Sequence, residues 1–308
     1  MSAPRYAVIV YRITLVFTLL AVLGGAIVCA TESGFECGNW PGCTDDAILP
    51  GGAVNELLYR NPWIEMTHRI SAFGTGPFAV AAAIIGLRLK GVHPVVKIGP
   101  WVTIAGAIVA GYVGRGIVLG EVYPTWVSAA DLGSALLALI AITTATVALE
   151  RTPATWAPSR TGLLAWAGLA VVWIFHLVSF WAAGPMSYTR CMSWPVWMLV
   201  HADANASIGA QYARFVVAVA AAALIVAAAV GALRRGERML AWLVLALLAA
   251  VLGFGLTILL TGTDAVGVLF STATVALFFC LGLLAARLSF IARRTAASVA
   301  RSEEFAAA

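Results

Sequence analysis

Residues 31–43 read TESGFECGNWPGC, and after a polar spacer residues 64–69 read IEMTHR at the head of a long apolar run. An equally apolar run, residues 8–30, ends just before this stretch. A polar loop holding two cysteines between two such runs is the connection of a membrane helix hairpin, and the rest of the chain repeats that arrangement. Within it, Asn61-Pro62-Trp63 reads as a helix start: Asn61 is the N-cap, Pro62 the first helical residue, and Trp63 sits at interfacial depth. Glu65 and His68 follow at i and i+3, on one face of the first turns. A weaker copy returns in the second half as CMSWPVW from Cys191 and AQYARF from Ala210. Each half thus carries C-x-x-W-P and then a polar residue and an arginine at the head of the next apolar run. The chain reads as a duplicated four-helix unit.

The composition agrees. Of 308 residues, 62% are hydrophobic and only 11% charged, with a mean hydropathy of +0.95. A water-soluble domain carries about a quarter charged residues, so a soluble fold is excluded. Runs of about 20 apolar residues, enough to cross ~30 Å of hydrocarbon, occur at 8–30, 64–87, 98–118, 126–149, 163–184, 208–232, 240–262 and 264–286. The fold class is therefore all-α integral membrane: eight transmembrane helices as two pseudo-symmetric four-helix bundles. The last two spans are joined by a tight polar turn at Thr261 to Asp264 and form a hairpin. Residues 1–150 make the N-terminal half, 151–290 the degenerate C-terminal half, and 291–308 a cytoplasmic tail. Of the 19 Lys and Arg residues, 14 fall on one side of these spans. Arg60, Arg69, Arg115, Arg190 and Arg214 fall on the other. Basic residues mark the inside, so both termini are cytoplasmic and the cysteine loops face outward. The net charge of +5 is spread through loops and sets topology, which argues against a nucleic-acid partner. The first span is too long for a secretory leader and is read as retained.

Cys37 and Cys43 flank Trp40-Pro41 on the oxidising side and are read as a loop-ordering disulfide; redox activity is the competing reading. With no histidine nearby in sequence, zinc binding is not supported. Cys29, inside the apolar zone, is read as a buried free thiol. Glu32, Glu36, Asp45, Asp46 and Glu56 form a solvated acidic face. An intramembrane acid next to a histidine demands pairing or ligation. For Glu65 and His68 two readings stand: a functional pair, or a local ion pair of Glu65 with His68 or Arg69. Asp131, one turn into the fourth span, needs a partner: Arg115 or Arg69, unless it is neutral. His176, deep among aromatics, is read as hydrogen-bonded filler, with a ligand as the competing reading. His93 lies in a cytoplasmic loop, and His201 stands beside Asp203 in an outer loop.

The run TESGFECGNWPGC, the EMTHR that opens span two and the stretch GYVGRGIVLGEVYPTWVSAADLGSA together resemble the heme A synthase family, bacterial and mitochondrial. Through the four-plus-four repeat the resemblance covers nearly the whole chain. It implies a multi-pass protein of the bacterial plasma membrane that oxidises a methyl group of heme O to a formyl group. In that family each half holds a heme near the outer face between two histidines, one from its second and one from its fourth helix, which serve as axial ligands inside a shielding bundle. The N-terminal half takes the substrate and the C-terminal half a heme b. Carried over, His68 matches the first ligand and Glu65 the acid one turn before it. The fourth-helix ligand falls on Asp131, the sixth on Ala213 and the eighth on Ser271 or Thr272; the second cysteine of the second loop is replaced by Trp197. The resemblance with these departures implies a heme on His68 in the N-terminal half, with Asp131 or water as a weak sixth ligand and Arg69 beside it. No bis-histidine heme b is expected in the C-terminal half.

Two functions follow. One is a heme A synthase-like oxidoreductase acting on heme O or another flat hydrophobic substrate, with Glu65 and His68 at the reacting centre. The other is a non-catalytic homologue that handles heme or serves a partner membrane complex. Transport is disfavoured, because the polar residues gather at the outer helix ends and not at the midplane.

Overall fold

The computed structural model describes residues 3–51, 56–182, 191–194, 208–261 and 264–292. Among them run eight long helices: α1 (Arg5–Ala30), α2 (Pro62–Arg88), α3 (Pro94–Val118), α4 (Thr125–Glu150), α5 (Arg160–Ala182), α6 (Ile208–Leu233), α7 (Arg238–Thr261) and α8 (Asp264–Arg287). All eight are long and apolar enough to cross a membrane, and their bounds follow the predicted spans within a few residues. The Asn61 cap forms as its sequence predicts, with the side-chain oxygen accepting from Trp63 N at 2.9 Å. The hairpin of α7 and α8 forms too, although residues 262–263 of its turn lie outside the described residues.

α1 packs on α2 and α4, and α3 packs on the same two, so α2 and α4 occupy diagonal corners of a four-helix bundle. α5, α6, α7 and α8 pack in the same cyclic way, with α6 and α8 diagonal. α4 and α8 also touch each other, and α1 packs on α8 as α4 does on α5. This makes α4 and α8 the most enclosed of the helices.

Lipid does not drive apolar helices together as water does, so close backbone approach and satisfied polar groups carry more of the packing. α3 lies close on α4 at Gly99 and Gly106; a Cβ at Gly106 would fall 2.5 Å from Ser134 O, and one at Gly99 2.8 Å from Ala141 O. Several buried hydroxyls bond within their own helices. Thr14 donates to Val10 O, Thr18 to Thr14 O and Thr143 to Leu139 O, which satisfies these donors without a partner from another helix.

One end of the molecule is basic. There Arg12 pairs with Glu150 at 2.7 Å, and Arg151 and Arg287 converge on Glu237. Two short strands, β1 (Ala154–Trp156) and β2 (Phe290–Ala292), pair antiparallel at this end. They bind the segment after α4 to the segment after α8. The expected tail from residue 291 therefore starts inside a strand, because Ile291 pairs with Thr155; residues 293–308 lie outside the described residues. His93 caps α3, its Nδ1 accepting from Val95 N at 3.2 Å.

Candidate functional site

The opposite end carries the cysteine loops. Cys37 and Cys43 are disulfide-bonded, as read from the sequence. The loop they close is held from below by α2. Arg69 donates to Asn39 O at 2.6 Å, to Gly42 O at 2.7 Å and to Cys37 O at 3.0 Å. The same guanidinium pairs with Glu65, whose other oxygen accepts from Cys37 N at 2.9 Å. Both side chains are at least 94% buried. Glu65 and Arg69 therefore form the local ion pair of the sequence reading, and every bond of that pair outside α2 goes to the loop. A buried pair holds only when its remaining donors and acceptors are satisfied; the loop carbonyls and one amide do that here. The acidic face is exposed, as expected.

His68 turns elsewhere. Its ring packs on α1 at Gly24 and Gly25, where an added Cβ would meet His68 Cβ at 3.0 Å and His68 Cε1 at 3.3 Å. A side chain at either position would press on the imidazole and force it to give by a few tenths of an ångström. The Ala21 backbone also lies against the ring, and among the described residues the buried Nδ1 has no well-formed hydrogen bond. Glu65 and His68, one turn apart on α2, thus serve different neighbours and are not bonded to each other.

Asp131 is half-buried in the first turns of α4. Neither expected arginine reaches it. Arg69 is committed to Glu65 and the loop, while Arg115 lies over the Trp40 ring at 5.8 Å. Among the described residues Asp131 makes no ion pair. His68 and Asp131 stand near the same end of the diagonal helices α2 and α4. Between α3 and α4, Tyr123 donates to Glu121, and that bond pushes its phenol up to about 12.

The C-terminal half repeats the arginine contact. Arg214 donates to Ser193 O, to Ser179 Oγ at 2.7 Å, and lies 4.8 Å over the Phe175 ring. Asn39 and Ser193 are each the second residue after the loop cysteine, so Arg69 and Arg214 bind the same position in the two loops. Matching the two arginines places Ala213 at the His68 position and Ala210, not Gln211, at the Glu65 position. On α8, Ser271 donates to Cys191 O at 3.3 Å. Residues 191–194 are sunk into the bundle, with Trp194 1% exposed and 5.5 Å from Phe175.

Two expectations are corrected here. Cys29 is not a free thiol: it is disulfide-bonded to Cys191, 162 residues away, because the second loop dips far enough to bring the two Cα atoms within 5.4 Å. His176 is not hydrogen-bonded filler either. It is 1% exposed, and among the described residues neither ring nitrogen has a hydrogen-bond partner. His201, Asp203, Arg190 and Trp197 lie outside the described residues.

The chain is 27% identical over 227 residues to the heme A synthase of Shewanella oneidensis, covering 66% of this chain and 67% of that protein. The chain is thus a multi-helix membrane protein with distant similarity to a heme A synthase. No family model matches it.

A heme ligand set can be tested against these residues. The N-terminal half offers one imidazole, whose unpartnered Nδ1 lies against the Gly24 position of α1, and, on the diagonal helix, a carboxylate without an ion pair among the described residues; a single histidine is the strongest ligand this pair could supply. In the C-terminal half the α6 position is Ala213 and the α8 hydroxyl of Ser271 already serves the loop, so these two positions offer no imidazole.

Proposed function

We propose that the protein binds heme O, or a similarly flat hydrophobic substrate, in its N-terminal bundle and oxidises a methyl group there, as a heme A synthase-like enzyme. The observation that carries this reading is His68: an imidazole near the head of α2, seated in a glycine notch and keeping one buried nitrogen free, in a chain resembling heme A synthase. Histidine is the commonest metal ligand among side chains, and a neutral imidazole is an iron ligand. His68 would hold the iron, and Asp131 or a water would face it from α4. Glu65 and Arg69 fix the disulfide loop one residue from the ligand and so shape the outer end of the site. This lets Glu65 serve the reacting centre through the loop, without a direct bond to His68.

The wider assignments belong to the same proposal. The like placement of Arg69 and Arg214 on their loops, together with the matched cyclic packing of the helices, supports a duplication with halves at 1–150 and 151–290. The basic end, by the bias of positive charge, faces the cytoplasm of a bacterial plasma membrane.

A second reading has its own observation. With Ala213 and Ser271 at the positions where the family places ligands, the α6 and α8 positions of the C-terminal half supply no imidazole for an electron-relaying heme, which favours a protein that carries or hands over heme without oxidising it. Incubating the purified protein with heme O and an electron acceptor, then extracting the pigment for mass analysis, separates the two. Hydroxylated or formyl heme means catalysis; unchanged heme that co-purifies in a His68-dependent way means handling; no bound heme in either form rejects both.

A further inference from the structure

Two disulfides stand at the loop end, and they differ in kind. Cys37–Cys43 closes six residues of one loop. Cys29–Cys191 joins the last turn of α1 to the loop of the other half, and a cross-link over so long a separation constrains the chain far more. Cys191 itself is firmly seated. Its carbonyl is bound by Ser271 on α8, the next residues by Arg214 on α6, and Trp194 rests on Phe175 of α5. One helical turn below Cys29 lie Gly24 and Gly25, the notch that receives His68.

We propose that the C-terminal half acts as a brace for the His68 site, and that Cys29 and Cys191 are positioning residues for it. Through the disulfide, three helices of the C-terminal half, α5, α6 and α8, hold the outer end of α1, and so fix the glycine notch against the imidazole. The chemical reading of His68 rests on the proposed function; the brace itself does not.

The test uses full-length protein purified in detergent, with C29S/C191S as the variant. Amide hydrogen exchange over residues 24–33 should quicken severalfold in the variant, while α3 stays unchanged. Titration with hemin should show weaker binding and a shifted absorption band. Where the variant does not fold, dithiothreitol is added to folded wild-type protein; it converts each disulfide to two thiols and is itself oxidised to its cyclic disulfide. C37A/C43A protein, in which only Cys29–Cys191 remains to be reduced, assigns the effect. Unchanged exchange over 24–33 after loss of the Cys29–Cys191 bond overturns the brace. Wild-type protein that takes up no hemin removes the proposed function instead, and the exchange result still decides the brace.

Discussion

The two cysteine loops are built on one plan and put to different ends. In each, an arginine from the following helix binds the carbonyl two residues beyond the loop cysteine. The first loop stays at the surface: its disulfide is local, Trp40 is half-buried against Phe73, and Asp45 and Asp46 face outward. The second loop sinks, burying Trp194 and Met192 in the main hydrophobic core and linking covalently to α1. On the proposed function, the difference bears on where a ligand site can persist. The first half keeps the His68 imidazole beneath a lattice of loop bonds, whereas in the second the matching α6 and α8 positions are alanine and a loop-bound serine.

The sharpest way to break this comparison is the Glu65–Arg69 pair. R69A leaves a buried carboxylate without its counter-charge and should cost about 3–5 kcal/mol, read as a lowered unfolding midpoint in detergent. Replacing both residues with apolar ones should recover much of that loss. Next are the two tryptophans. W194A opens a cavity in a closed core and should cost about 3–4 kcal/mol, while W40A, at a half-buried site, should cost about half of that; equal losses would mean the loops are seated alike. G24A forces the α1 backbone and His68 apart and should cost about 1–3 kcal/mol, with a shift in any heme absorption band. D131H should place a second imidazole across from His68 and turn a weak heme signal low-spin. Smallest is E32Q, which breaks an exposed pair with Arg60 at 3.5 Å and should change stability by under about 1 kcal/mol.

Much of this was legible beforehand, for physical reasons. The eight spans are visible because hydrocarbon thickness dictates their length, and the α2 start because Asn-Pro-Trp is a local signal. Cys37 and Cys43 were pairable because six residues can close without help from the fold. Cys29–Cys191 was not legible, since nothing local ties position 29 to position 191; only the descent of the second loop does. Spacing put Glu65 and His68 on one face of α2, but could not show that one side chain turns up to the loop and the other sideways to a glycine notch. The β1–β2 pairing was hidden for the same reason: three-residue strands 134 residues apart have no pattern of their own.

The central claim is that ligand chemistry resides in the N-terminal half and rests on His68. The measurement closest to it is the oxidised and dithionite-reduced absorption spectrum of purified wild-type, H68A and H176A proteins after incubation with hemin. The account predicts a single heme per chain in wild type and in H176A, and none held specifically in H68A. A heme signal that survives H68A, or a second one that vanishes with H176A, would contradict it.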